Sequence, residues 1–187
     1  LNALPLRPLH LVDVQDILEE LKILLVGEGW PKEEILTQQD HGRFYFDLPE
    51  GHLAVQLVAD GYRKLGTLWY LLRNGSLTNE SILFWDEPEA SLNPKWMVKM
   101  AKVLQQLATR LGMQIFIATH DFLLSYELSL LNEYPNTKPV ELRFFSLHKP
   151  AGQLGVVVES GKTLNEIKHN PMVEAFAAHY DREADLF

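Results

Sequence analysis

Four side chains capable of chemistry stand at the ends of two short apolar runs. Ile82-Leu83-Phe84-Trp85 leads into Asp86-Glu87, followed by Pro88 and Glu89, and Ile115-Phe116-Ile117-Ala118-Thr119 leads into His120-Asp121. Four consecutive apolar residues fit a strand buried on both faces. Ionised carboxylates are costly to bury, so Asp86 and Glu87 are expected at the rim of a site that a metal or substrate can reach. If both runs are strands of one sheet, Asp86, Glu87 and His120 arrive at the same edge. Taken as a metal-ligand set for phosphodiester cleavage, Asp86, Glu87, Glu89 and His120 are incomplete. A proline separates Glu89 from the pair, and no further carboxylate cluster supplies a two-metal site. The plain alternative is that the carboxylates only cap the loop into the next helix.

The elements that must carry these residues are well punctuated. Asn93 is a helix cap and Pro94 a helix opener, since the first helical residue needs no N–H. Met97, Met100, Ala101, Leu104, Leu107, Ala108 and Leu111 then recur at three and four, and Gly112 closes a helix over 94–111. Strand, helix and strand with short connections make a βαβ unit, so strands 82–85 and 115–119 should be parallel. Ligands of such sheets sit beyond the carboxyl ends of the strands, where Asp86, Glu87 and His120 emerge.

Around this unit the periodicity predicts a helix over 13–26, with Asp13 as cap and Gly27 as stop, and a polar loop or short helical turn over 31–42. It predicts a strand over 43–48, a Pro-Glu-Gly turn and a helix over 61–73. Further on come a helix over 122–132, a loop over 134–139 and strands near 140–148 and 154–159 about a hairpin at 150–153. Short helices are expected at 163–169, opened by a Thr163–Glu166 capping box, and at 171–181. The expected architecture is α/β, a parallel sheet with flanking helices and a small antiparallel hairpin near the C-terminus. With no repeat or evident boundary, residues 1–187 read as a single domain with its core at 53–125.

Asp-Glu-Pro-Glu-Ala-Ser-Leu-Asn-Pro, residues 86–94, resembles the Walker B and D-loop segment of ABC-type ATPases. Ile-Ala-Thr-His-Asp, residues 117–121, resembles their switch-histidine strand. Val58-Ala59-Asp60-Gly61-Tyr62-Arg63-Lys64-Leu65 is similar to the divergent signature loop of the ABC-like AAA ATPases. The three occur in the family's order, and the resemblance covers about residues 53–125. Trp85, Glu89 and the lack of a Ser-Gly-Gly-Gln string look less like a transporter than like heads of the structural-maintenance-of-chromosomes and overcoming-lysogenization-defect groups. The resemblance implies the C-terminal lobe of a P-loop NTPase that binds and hydrolyses ATP between two heads. Asp86 would hold Mg²⁺ through a water, Glu87 would polarise the attacking water, and His120 would sense the γ-phosphate. Asp60, Gly61, Arg63 and Lys64 would meet nucleotide held by a second head, aided by the free N–H groups of a helix start. Ser91 and Asn93 would belong to the D-loop at that interface.

The family's phosphate loop, G-x-x-x-x-G-K-[ST], is not present in these 187 residues. Gly161-Lys162-Thr163 lacks the earlier glycine and follows the switch histidine instead of preceding the signature. The expectation is therefore a lobe that is inactive alone. Its phosphate-binding partner would lie in the same parent chain or another, and the assembly would be an ATP-dependent homodimer. A non-hydrolysing regulatory or dimerisation module is the alternative.

Composition agrees with a compact domain, 47% hydrophobic and 22% charged. A net charge of −8 does not indicate a broad nucleic-acid surface on this lobe, which leaves nucleic acid to the full assembly. No apolar run is long enough to span a bilayer, and the first residues lack a signal peptide's basic start, so a cytoplasmic protein is expected. They read as the interior of a longer protein. There is no cysteine for a disulfide or thiolate site. The histidines other than His120 show no ligand spacing.

Overall fold

The structure is a computed structural model and describes residues 8–31, 35–39, 42–134, 140–150, 152 and 154–186. Two compact units emerge, residues 1–119 and 120–187.

The first unit is built on three helices, α1 (Pro8–Val26), α2 (Asp60–Arg73) and α3 (Met97–Arg110). α1 packs on both α2 and α3, and Val14, Ile17 and Leu21 of α1, Leu65 and Leu72 of α2 and Met100 and Leu107 of α3 are all fully buried. Three-and-four spacing puts these side chains on one stripe of each helix, so burying them ties all three together. α1 opens at Pro8, well before the expected cap, so Asp13 lies inside the helix; proline suits that first position. Gly27 ends it with φ +82°, a conformation that favours glycine, and its N–H donates to the Ile23 carbonyl at 3.0 Å.

A three-stranded antiparallel sheet, β1 (Leu36–Gln39), β2 (Arg43–Leu48) and β3 (Gly51–Ala54), lies against α2. β1 corrects the expected loop over 31–42. Leu-Thr-Gln-Gln has little strand character by itself and is extended because it pairs with β2, Leu36 opposite Phe46. Phe46, wholly buried, fills the space beside Gly66 of α2, where any β-carbon would overlap its ring.

The βαβ unit forms as expected. β4 (Ile82–Asp86) and β5 (Gln114–Ala118) are parallel, with Ile82 opposite Gln114 and Asp86 opposite Ala118. A single 3-10 turn over Pro94–Trp96 precedes α3, and the Asn93 side chain accepts the Lys95 N–H. Burial departs from expectation. β4 is not buried on both faces: Leu83 and Trp85 are half-buried, whereas Ile82 is 55% and Phe84 74% exposed, and Phe84 stacks on Phe116, itself 45% exposed. Only one face of this parallel pair is covered within the described residues.

The second unit holds α4 (Phe122–Glu133), the antiparallel hairpin β6 (Phe144–His148) and β7 (Val157–Gly161), and α5 (Pro171–Ala184). Asp121 caps α4 by accepting the Leu124 N–H at 2.7 Å. Asn170 caps α5 by accepting the N–H groups of Met172 and Val173. The helix expected over 163–169 is only a 3-10 turn at Leu164–Glu166. Thr163 makes no side-chain cap there, and the Glu166 carboxylate accepts the Lys162 N–H instead, so the capping box does not form. Residues 135–139, and Ala151 and Gln153 of the expected hairpin turn, lie outside the described residues.

Candidate functional site

The segment that follows β4 is held from several sides. The Glu87 N–H donates to the Ala118 carbonyl at 2.7 Å, extending the parallel ladder one residue past the strand end. Its carbonyl accepts the Lys64 ammonium at 2.6 Å, across from α2. Glu87 has φ +46° and Ser91 φ +64°, left-handed conformations that cost a residue with a β-carbon energy unless its surroundings fix them. The clamp on Glu87 is such a fixture. At the other end, the helix start at Gly61 lies so close to Ser91 that a β-carbon on Gly61 would come within 2.6 Å of the Ser91 carbonyl oxygen and 2.7 Å of Leu92. Glycine at 61 is therefore required by close approach of two backbones.

The carboxylates of this segment have different surroundings. Asp86 is exposed, Glu87 is half-buried, and Glu89 is only 7% exposed. Glu89 Oε1 accepts the Thr119 hydroxyl at 2.5 Å, joining the loop after β4 to the residue after β5. Its Oε2 is buried with no hydrogen-bond partner among the described residues. Asp86 and Glu87 thus keep access to solvent, while Glu89 fastens the loop from inside.

Asp60, Gly61, Arg63, Lys64, Asp86, Glu87, Ser91 and Asn93 all fall in the first unit. Asp60 and Arg63 pair with each other at 2.8 Å across the first turn of α2. Asn93 serves as the cap described above, and Ser91 is exposed at its left-handed turn. His120 is exposed and is the first residue of the second unit. The Lys64–Glu87 and Thr119–Glu89 bonds were not anticipated. Each joins residues far apart in sequence, and nothing local marks them. Among the described residues no helix is long and apolar enough to cross a membrane.

No curated protein matches the chain by sequence. Among solved structures it is similar to a chain from "Structural biochemistry of ATP-driven dimerization and DNA stimulated activation of SMC ATPases", with 11% identity and a TM-score of 0.49. That similarity covers 81% of this chain and 88% of the other. A family model described as "AAA domain, putative AbiEii toxin, Type IV TA system" matches residues 13–125, well over half of the chain and all of the segment just described. The α/β arrangement of a parallel strand pair flanked by helices agrees with that match. The chain belongs to this AAA domain family, of the ATPase-type, nucleotide-binding class.

Proposed function

We propose that the chain is the C-terminal lobe of an ATPase head that binds Mg-ATP and hydrolyses it between two heads. The observation that carries this reading is the clamped strand end. Asp86 and Glu87 leave a parallel pair at its carboxyl edge, and both backbone polar groups of Glu87 are engaged, by Ala118 and Lys64. A carboxylate meant to orient a water must be held still, because catalysis of phosphoryl transfer is mostly positioning and charge stabilisation.

In this reading the exposed, hard-oxygen carboxylate of Asp86 would hold Mg²⁺ through a water. The ion, when bound, supplies charge neutralisation on the phosphate oxygens. Glu87 would orient and polarise the attacking water, and His120 would contact the γ-phosphate. Asp60, Gly61, Arg63 and Lys64, at the start of α2, would face nucleotide held by a second head, with Ser91 and Asn93 along the same interface. The Lys64 bond to Glu87 would then tie the segment that meets one nucleotide to the carboxylate that acts on the other.

The exposed face of β4 and β5 supports a missing phosphate-loop lobe. Parallel strands are normally covered on both faces, whereas Ile82, Phe84 and Phe116 are open here. The lobe that brings the phosphate loop would cover them, from the same parent chain or a separate one. Calorimetry of Mg-ATP with residues 1–187, using Asp86→Ala as control, tests the half-site. No saturable binding is expected. Tight binding lost in Asp86→Ala would mean that a complete nucleotide site exists here and would overturn the half-site reading.

A further inference from the structure

Three donor side chains from three segments of the second unit meet beside the C-terminal hairpin. His148 ends β6, Glu159 lies within β7, and His169 directly precedes the Asn170 cap of α5. The register sets His148 opposite Val157 and Ser146 opposite Glu159, which makes His148 and Glu159 diagonal neighbours on one face. The turn over 164–166 brings the chain back so that the His169 ring stacks on His148, 4.4 Å between centroids. One donor atom from each of the three lies within 4.8 Å of the others.

The cluster is organised before any ligand arrives. Glu159 Oε2 accepts the backbone N–H groups of Lys168 and His169, each at 3.0 Å, which fixes the carboxylate and leaves Oε1 facing His169 Nδ1 at 2.6 Å. His148 Nδ1 is buried and has no hydrogen-bond partner among the described residues. An unserved, buried ring nitrogen costs free energy, and such a group calls for an explanation. A metal ion serves such a nitrogen, and a carboxylate beside a histidine is what orients imidazole in metal sites.

We propose that His148, Glu159 and His169 form a binding site for a divalent transition-metal ion of the Zn²⁺ class. Two imidazoles with one carboxylate select Zn²⁺, Ni²⁺ or Cu²⁺ over Mg²⁺ and Ca²⁺, which take oxygen ligands. Metal–nitrogen bonds of about 2.0–2.1 Å place tetrahedral donors roughly 3.3 Å apart. A ring rotation of His148 toward the fixed carboxylate, and of His169 slightly away from it because its Nδ1 lies 2.6 Å from Glu159 Oε1, would bring the donors to that spacing. Binding takes the place of the Glu159–His169 hydrogen bond, and exposed His169 leaves a further coordination position open to water. The ion would join the hairpin to the start of α5. The site stands independently of the nucleotide reading, since all its residues lie in the second unit.

The test is titration of the untagged, chelator-stripped chain with Zn²⁺, by calorimetry and by competition with a chromogenic chelator. One ion per chain is expected, with a rise in Tm on loading. Affinity should fall by at least about tenfold in His148→Ala and in His169→Ala and stay unchanged in His179→Ala. Circular dichroism checks that the variants fold. Should the histidine variants fail to fold, Glu159→Gln keeps an oxygen for the amides, removes the charge, and is expected to weaken binding as well. No saturable binding of Zn²⁺, Ni²⁺ or Cu²⁺ by the wild-type chain overturns the site, as does binding that survives all of these substitutions.

Discussion

The loop after β4 and the turn before α5 both hold an acidic residue in place, yet they are built in opposite ways. After β4 the residues of interest are contiguous, and long-range bonds from Lys64 and Thr119 hold the main chain and Glu89 around them. Before α5 the residues of interest are scattered over 148, 159 and 169, and short-range bonds hold one side chain, Glu159. A contiguous motif can be read from sequence while its supports cannot. A scattered cluster cannot be read at all until strand register is known.

Substitutions at the supports should separate these two designs. The largest effect is expected for Gly61→Val, which forces a side chain against the Ser91 carbonyl and Leu92. Overpacking of this kind costs about 3 kcal/mol, so unfolding of the first unit by denaturant should shift strongly. An unchanged midpoint would show that α2 and the loop after β4 are not in contact in solution. Thr119→Val removes the donor to buried Glu89 and should cost about 2 kcal/mol in the same measurement, the penalty for stripping a partner from a buried group. Lys64→Met keeps the aliphatic stem and removes only the ammonium on the Glu87 carbonyl; about 1 kcal/mol is expected. Lys64→Arg should restore part of that loss.

The smallest effect belongs to acid and to the second unit. The His169 N–H, the His169 side chain and the Lys168 N–H hold the Glu159 carboxyl at about 2, below its usual 4.5. A lowered carboxyl contributes stability that is complete above pH 4.5 and is lost as the pH falls toward about 2. In the metal-free chain, the Lys168 and His169 amide resonances should therefore titrate near pH 2; a midpoint near 4.5 would mean that the amides do not hold the carboxylate.

The legible part of this chain had local chemistry to mark it. Asn93 and Pro94 open the helix between β4 and β5, Gly112 ends the pattern, and the parallel pairing follows from the short connections. The strand end at Asp86 was readable because an apolar run stops there. β1 was missed because its polar residues owe their extended form to β2, a tertiary override of weak local preference. The open face of β4 was missed because four apolar residues predict burial without saying which part of the protein supplies the cover. His148, Glu159 and His169 were unreadable because residues 149–156, between the hairpin strands, do not fix its register from sequence.

The central claim is that Glu87 is the catalytic carboxylate of an ATPase completed by a phosphate-loop lobe. The most direct test is Mg²⁺-dependent ATP turnover of this chain joined to that lobe, comparing wild type with Glu87→Gln. The account predicts turnover in the wild type, its loss by at least about a hundredfold in Glu87→Gln, and retained ATP binding with a more persistent dimer. Unchanged turnover in Glu87→Gln would contradict it.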